Sequence, residues 1–244
     1  MAVNNNEREG LLAIGTLLSN GKYRIEQYLS SGGFGNTYVA TDLAFDEKVA
    51  IKELYIKGVC GRNEATNEVA ITLTENQRTF EAQREKFRKE ARRLRRLSNA
   101  HIVKVHDLFD ENGTSYYVMD FIEGESLGAR IKRMRHPMSP ADVMLTLPQI
   151  LDALETVHND GIWHLDMKPG NIMIDRKGNI QLIDFGASKQ LRNSDGQSLA
   201  TSSAMAYTRG CPSTSTNMPS STPIRRASSR LRSCGSGYSI NRVA

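Results

Sequence analysis

The order of the patterned segments limits the fold more than any other feature of this chain. Five short runs rich in β-branched and aromatic residues come first, at 23–29, 36–41, 48–53, 102–109 and 115–122. A stretch with helical period, 80–97, interrupts them, and a second helix follows from residue 139. A small hairpin is predicted last, from 172–174 and 180–183. Strands grouped ahead of the main helix, instead of alternating with helices, predict an α+β fold.

The first helical segment carries an acidic residue on its apolar face. That face is formed by Phe80, Phe87, Ala91, Leu94 and Leu97. Glu90 lies three residues after Phe87 and four before Leu94, so it falls on the same face. Burying a carboxylate alone is costly. We therefore predict that Glu90 pairs with a cation, and Lys52 of the third strand is the candidate.

The second helix has recognisable ends. Ser139 fits an N-cap, Pro140 the first helical position and Asp142 a capping-box acid. Gly161 suits the C-terminal stop. Five apolar residues are expected to form its buried face: Leu147, Ile150, Leu151, Leu154 and Val157.

The excess of positive over negative charge is confined to the end of the chain. The net charge is +5, but residues 209–244 contain six arginines and no acidic residue, which leaves −1 for residues 1–208. The basic excess is therefore weak support for a nucleic-acid partner, and no specific one is expected. No apolar run reaches the roughly 18 residues that a membrane span needs, and no signal peptide is evident. The three cysteines form no disulfide or metal pattern, so a cytoplasmic location is expected.

Four places in the chain carry residues suited to chemistry. The glycine-rich segment SSGGFGNT occupies 30–37, where glycines let backbone N–H groups approach phosphate oxygens. Lys52 lies in the third predicted strand. The segment HLDMKPGN at 164–171 supplies a carboxylate, a cation and an amide, which suit a base, a charge neutraliser and a metal ligand. Asp184 offers a second carboxylate. Each feature is common alone, whereas their order and spacing together are specific.

These residues resemble the protein kinase superfamily, specifically the bacterial serine/threonine type. The resemblance runs from about residue 23 to residue 210. It implies a two-lobed kinase-like fold with a small antiparallel-sheet N-terminal lobe and a mainly helical C-terminal lobe that is incomplete here. The implied divisions are a polar lead-in at 1–20, the N-terminal lobe at 21–122, a partial C-terminal lobe at 123–210 and a Ser/Arg-rich tail at 211–244, which we expect to be disordered.

The resemblance also implies an activity, the transfer of the γ-phosphoryl group of ATP to serine or threonine hydroxyls with Mg²⁺ as cofactor. Lys52, positioned by Glu90, would hold the α- and β-phosphates. Asp166 would be the catalytic base, and Lys168 would contact the γ-phosphate. The magnesium ligands would be Asn171 and Asp184.

Further residues are implied in nucleotide binding. The phosphate loop would use Gly32, Gly33 and Gly35. Ala50 and Met173 would enclose the adenine, and Met119 would stand at the entrance to the pocket behind it. The backbone of the hinge, from Asp120 to Ile122, would meet the adenine edge. Ser126 would lie near the ribose.

Three departures from the family pattern bear on activity. Ser30 replaces the first loop glycine and Thr37 a valine, so altered or weaker ATP packing is expected. Leu165 replaces an arginine that usually meets a phosphorylated activation loop, which disfavours control by loop phosphorylation. After residue 210 the resemblance stops where the helices of the lower lobe are expected. A frameshift or a truncated gene end is one hypothesis for this.

Two other interpretations remain open at this point. The first is a catalytically impaired kinase-like module that binds nucleotide or a protein partner, which the missing lower lobe favours. The second is a small-molecule phosphotransferase, against which the glycine loop, Lys168 and the Asp-Phe-Gly at 184–186 argue. The sequence does not identify a protein substrate or an oligomeric state.

Overall fold

A six-stranded antiparallel sheet with one helix packed on it forms the first half of the molecule. The structure is a computed structural model that describes residues 10–33 and 35–190, all within one compact unit. In chain order the elements are β1 (Leu17–Leu18), β2 (Tyr23–Gly32), β3 (Gly35–Asp42), β4 (Glu47–Leu54), β5 (Cys60–Arg62), β6 (Val69–Ile71), α1 (Gln77–Arg96), β7 (Val105–Glu111) and β8 (Thr114–Asp120). The sheet order is β1-β2-β3-β4-β8-β7, and β5 pairs with β6 as a separate hairpin. The five predicted strands and the first predicted helix are confirmed.

The sheet separates two apolar clusters. On one face, Tyr23, Ile25, Tyr38 and Ile51 pack beneath the chain that precedes β1, including Leu12. On the other face, a larger cluster joins α1 to β8 and continues into the second half of the molecule. The sheet is therefore covered on both sides, and its central strand β4 presents alternate residues to each of them.

Helix α1 buries the face that the sequence predicts. Phe80, Phe87 and Leu94 are at most 5% exposed, and the ring of Phe87 lies 4.9 Å from that of Tyr117 on β8. Glu90 is buried on the same face. These aromatic and aliphatic contacts fix α1 against the sheet, so the carboxylate of Glu90 is held over β4.

The second half contains three short pairings of strands and two helices. Its elements are β9 (Gly124–Ser126), α2 (Leu127–Met134), α3 (Pro140–Asn159), β10 (Ile162–Trp163), β11 (Ile172–Asp175), β12 (Ile180–Leu182) and β13 (Lys189–Gln190). The predicted hairpin is confirmed as β11 and β12, and β9 adds to its other side. The predicted cap of α3 is also confirmed, since Ser139 Oγ accepts a hydrogen bond from the Asp142 N–H at 3.1 Å. The sequence did not predict α2, β9 or the β5–β6 hairpin.

The predicted buried face of α3 is wrong at two positions. Leu147 and Leu151 are 44% and 54% exposed. The side of the helix that packs on the core carries Ile150, Ala153, Leu154 and Val157. Helix α3 packs against the short strands β10 and β12. The surface of α3 that these two strands cover is narrower than the apolar face predicted from the sequence, so Leu147 and Leu151 stay exposed.

Two predictions fall on residues outside 10–33 and 35–190. The predicted boundary at residue 210 and the tail at 211–244 lie outside the described residues, as does Phe34 of the glycine-rich segment. Among the helices that the structure does describe, none is long and apolar enough to cross a lipid bilayer.

Candidate active site

Lys52 stands at the centre of a charge cluster that joins three elements. Its Nζ lies 3.2 Å from Glu90 Oε1 on α1 and 2.9 Å from Asp184 Oδ1, two residues beyond β12. The Lys52 and Glu90 side chains are 17% and 6% exposed, and the Tyr117 hydroxyl donates to Glu90 Oε1 at 2.9 Å. The predicted ion pair between Lys52 and Glu90 is confirmed. The contact with Asp184 was not predicted.

The cluster is electrostatically self-consistent. Burial alone would lower the pKa of the Lys52 ammonium, but the charges of Glu90 and Asp184 hold that pKa well above its usual value. Burial would likewise raise the pKa of the Asp184 carboxyl, yet the Lys52 ammonium beside it keeps that pKa below its usual value. The lysine and the aspartate are therefore both charged at neutral pH.

A tight loop between β10 and β11 places three polar groups together. Lys168 Nζ lies 2.7 Å from Asp166 Oδ2, and Asn171 Nδ2 donates to the same oxygen at 2.9 Å. Asn171 also donates to the Asp166 carbonyl at 2.9 Å, which fixes the amide across the loop. The structure thus brings together the candidate base, its cation and one candidate metal ligand.

The backbone of this site includes two uncommon conformations. Leu165 and Asp184 both have φ of +61°, a region that costs a residue other than glycine about 1–2 kcal/mol. Next to each of them lies a buried ring: His164, which precedes Leu165, is 2% exposed, and its ring lies 4.5 Å from that of Phe185, which follows Asp184. The contact between these buried rings anchors both segments, so the two turns direct Asp166 and Asp184 away from the buried core.

Hydrogen bonds lower the pKa of the Asp166 carboxyl. The first cause is the bond from Lys168 and the second is the bond from Asn171. A carboxylate that accepts such bonds is stabilised in its charged form. Asp166 is therefore ionised at neutral pH, as a proton acceptor needs to be.

The glycine-rich hairpin between β2 and β3 presents an open surface. A Cβ added to Gly32 or Gly33 would meet no atom within 4 Å, so the backbone there is accessible to a ligand. Gly35 differs, because an added Cβ would lie 2.3 Å from the carbonyl oxygen of Glu53 on β4. Gly35 is therefore needed for the close approach of β3 to β4, while Gly32 and Gly33 leave room above the site.

Two adjoining cavities lie between the sheet and the loop segments, with volumes of about 400 Å³ and 320 Å³. Both are lined by Ser30, Thr37, Lys52 and Asp184. The first is also lined by predicted nucleotide contacts, namely Ala50, Met119, Asp120, Ile122 and Met173. The second lies beside the glycine-rich hairpin and includes Gly32, Gly33, Gly35 and Glu90. An apolar cavity that meets a charged, glycine-walled one suits an aromatic base joined to phosphates.

Ser126 does not join this arrangement. It is absent from the described lining of both cavities. Its hydroxyl instead accepts a hydrogen bond from the Ala129 N–H at 3.1 Å and caps α2. The sequence also missed Val103 and Ile183, which line the first cavity. Val103 belongs to no motif, so nothing in the pattern marks it, whereas Ile183 directly precedes Asp184 and could have been found from that position.

The donor set beside the cavity fits a magnesium ion. Asn171 and Asp184 both line the first cavity and offer an amide oxygen and a carboxylate, which are the hard oxygen donors that Mg²⁺ prefers. Within the described residues no group of three or more His, Cys, Asp or Glu side chains could hold a metal. Two protein ligands are enough for Mg²⁺, which usually keeps several waters and binds substrate phosphates as well.

Known proteins are similar to this chain in sequence and architecture. The family model described as protein kinase domain matches residues 23–209. Serine/threonine-protein kinase PrkC of Bacillus subtilis is 33% identical over 180 residues, which cover 74% of this chain and 24% of that protein. Serine/threonine-protein kinase PksC of Streptomyces coelicolor is 32% identical over 178 residues, covering 70% and 29%. The chain thus matches only about a quarter of the length of these curated relatives.

A solved structure has the same fold. The structure titled PpkA-294 apo form superposes with a TM-score of 0.69 at 29% sequence identity. The match covers 72% of this chain and 62% of that one.

Proposed function

Since the chain belongs to the protein kinase family, we propose that it transfers the γ-phosphoryl group of ATP to serine or threonine hydroxyls of proteins. The observation that carries this proposal is the contact of Lys52 with both Glu90 and Asp184 in the wall of the two adjoining cavities. The names of the similar bacterial proteins, which are serine/threonine-protein kinases, support the choice of acceptor.

In this proposal each charged group binds a different part of the triphosphate or its metal ion. Lys52 holds the α- and β-phosphates, and its contact with Glu90 fixes where the ammonium lies. Asn171 and Asp184 would hold Mg²⁺, which when bound neutralises charge on the transferred phosphoryl group. Lys168 lies beside Asp166 and would contact the γ-phosphate. The catalytic contribution of these residues is mostly positioning and charge stabilisation.

Asp166 is the proposed proton acceptor. Its Oδ2 is held by Lys168 and Asn171, which keeps the carboxylate charged and oriented. A substrate hydroxyl placed against the other carboxylate oxygen would transfer its proton to Asp166 as its oxygen attacks the γ-phosphorus, while the bond from that phosphorus to the β–γ bridging oxygen breaks and ADP leaves.

The adenine would fill the first cavity and the phosphates the second, because the residues that line each cavity suit that part of the nucleotide. The apolar walls formed by Ala50, Met119 and Met173 suit the adenine ring. Backbone groups of Asp120 and Ile122 would meet its polar edge. Gly32 and Gly33 would cover the phosphates, since their backbone is open to the cavity.

The test is transfer of labelled phosphate from Mg·ATP by the purified full chain, to itself and to a general protein acceptor. We expect Asp166→Ala to lower the rate by about 10²–10⁴-fold, the usual contribution of general base catalysis. Asp152→Ala, which removes an exposed carboxylate on α3, is the matched control and is expected to leave the rate unchanged.

Three other outcomes would contradict parts of this proposal. A rate unaffected by Asp166→Ala would reject Asp166 as the base. Binding of Mg·ATP without any transfer would favour the alternative of a catalytically impaired nucleotide-binding module. Transfer to a small-molecule hydroxyl in preference to protein would show that the acceptor is a small molecule and not a protein.

A further inference from the structure

A buried carboxylate behind the active site is saturated with hydrogen bonds. The Glu53 side chain is 0% exposed on the face of β4 opposite Lys52. Its Oε1 accepts from Arg62 at 2.6 Å and from the Tyr116 hydroxyl at 2.7 Å. Its Oε2 accepts from Asn36 Nδ2 at 3.1 Å and from the Tyr38 hydroxyl at 3.0 Å. Four donors on one carboxylate form a rigid centre, because each constrains the orientation of the others.

Asn36 links this centre to the glycine-rich hairpin. Its amide nitrogen donates to Glu53, which leaves its Oδ1 to accept a bond from Ser31 Oγ at 2.6 Å. Ser31 and Asn36 face each other across the ladder, directly next to the last pair, Gly32 and Gly35. Asn36 is 4% exposed, so its end of this bond is buried, while Ser31 lies at the surface. The base of the hairpin is thereby tied to the rear of β4.

The hairpin needs such an anchor because its glycines are conformationally free. Ordering a glycine costs more entropy than ordering any other residue. A loop that is ordered before the ligand arrives spares binding that cost. The bonds from Ser31 to Asn36 and from Asn36 to Glu53 supply order from the protein side, at the two residues from which the glycine turn departs.

We propose that Asn36 is a positioning residue for the phosphate loop, which transmits the rigidity of the centre around Glu53 to Gly32 and Gly35 and thereby sets the affinity for the nucleotide. This inference rests on the proposed function, since it takes the ligand to be Mg·ATP. Asn36 is absent from the described lining of both cavities, so it acts through the hairpin and not by contact. The hairpin would cover the phosphates before and during transfer, and removing its anchor therefore weakens binding more than it slows the reaction.

The experiment compares Asn36→Ala with Thr41→Ala in the full chain. Thr41 also makes a side-chain bond between β2 and β3, donating to Glu26 at 2.9 Å, but it lies at the far end of the hairpin. We measure the dissociation constant of Mg·ATP by calorimetry, KM and kcat, and amide hydrogen exchange of residues 31–35 without nucleotide. We expect Asn36→Ala, which removes the bonds to Ser31 and Glu53, to raise the dissociation constant and KM about fivefold to tenfold, an effect on binding of the size of one hydrogen bond. In that variant kcat stays within about twofold, and exchange of the loop amides becomes faster.

Thr41→Ala should leave affinity and loop exchange as in the wild type. Ser31→Ala removes the exposed partner without opening the buried centre, so it remains folded and should weaken binding in the same direction by a smaller factor. Unchanged affinity and loop exchange in both Asn36→Ala and Ser31→Ala would overturn the inference, as would equal effects of Asn36→Ala and Thr41→Ala. Failure of the wild-type chain to bind Mg·ATP would instead reject the proposed function, and this inference with it.

Discussion

Two neighbouring residues of β4, Lys52 and Glu53, belong to ion pairs on opposite faces of one sheet. Lys52 faces the cavities and contacts Glu90 and Asp184, with its own side chain 17% exposed. Glu53 faces the rear and contacts Arg62, with side chains 0% and 2% exposed. The two pairs are one residue apart in sequence, yet their surroundings differ in access to water and to ligands.

The difference shows how one strand serves two purposes. At the rear, each oxygen of Glu53 has two donors, and Arg62 also donates to the carbonyls of Gly10 and Asn67. That pair ties the β5–β6 hairpin and the start of the described chain to the sheet. At the front, the two carboxylates account for two of the three N–H groups of the Lys52 ammonium. The rear pair is built for rigidity, and the front pair retains capacity for a ligand.

Breaking the rear pair should have the largest effect on stability. We expect Arg62→Met to lower the free energy of unfolding by about 3–5 kcal/mol, because it leaves the charge of Glu53 buried without its cation. Urea denaturation followed by circular dichroism measures this change. The matched control is Arg88→Met, which breaks an exposed contact with Asp110 and should cost less than about 1 kcal/mol. Similar losses in both variants would mean that burial does not distinguish the pairs.

Breaking the front pair should instead act on catalysis. We expect Lys52→Met to lower kcat by about 10²–10³-fold, the effect of removing one preorganised charge donor. Lys52→Met also leaves a buried carboxylate, Glu90, without its cation, but the other partner of Lys52, Asp184, is 44% exposed and can be solvated by water. The loss of stability in Lys52→Met should still be smaller than that in Arg62→Met, since Arg62→Met also removes the bonds to the Gly10 and Asn67 carbonyls. Steady-state kinetics beside urea denaturation gives both values.

The control for that variant lies on the same strand. Lys48→Met removes an exposed lysine of β4 and should change neither kcat nor stability appreciably. A kcat for Lys52→Met within tenfold of the wild type would remove Lys52 from the catalytic machinery. Equal destabilisation by Lys52→Met and Arg62→Met would remove the contrast between the two faces.

The ion pair between Lys52 and Glu90 on the cavity side of β4 could be predicted from the sequence, whereas the pair between Glu53 and Arg62 on the opposite face could not. Glu90 falls at helical spacing on an apolar face, which by itself demands a cation, and Lys52 of the third predicted strand was the candidate. Glu53 carries no such signal, because an acidic residue in a strand is usually solvated. Its partner Arg62 lies in a short hairpin whose strands are three residues each, too short to give a period.

Two residues of α3 were wrongly predicted to be buried. Leu147 and Leu151 belong to a clear apolar stripe, but periodicity says which side of a helix is apolar and not how wide a surface covers it. Ser126 was expected near the ribose; its hydroxyl caps α2, and a contact with the ribose stays a prediction. Local pattern thus identified elements and motif residues, and it failed for α3, where packing against distant segments decides which residues are buried.

An exposed pair completes the comparison and should give the smallest effect. Lys168 and Asp166 have side chains 55% and 38% exposed, and their contact lowers the pKa of the Asp166 carboxyl. The carboxylate is the active form of a base, so activity falls as pH drops through this pKa. Removing Lys168 takes away the main cause of the lowering and raises the pKa. We therefore expect the acidic limb of the pH profile of kcat/KM to move to higher pH in Lys168→Met.

The measurement is the shape of that profile, normalised to its plateau, since Lys168→Met also lowers the rate itself. Lys177→Met, on the turn between β11 and β12, is the control and should leave the limb in place. Because the Asp166–Lys168 pair is exposed, added salt should screen it and shrink the difference between wild type and Lys168→Met. The stability loss in Arg62→Met should respond little to salt, because the Glu53–Arg62 pair is buried. A limb that does not move, or a shift that salt leaves unchanged, would contradict an electrostatic role for Lys168 through Asp166.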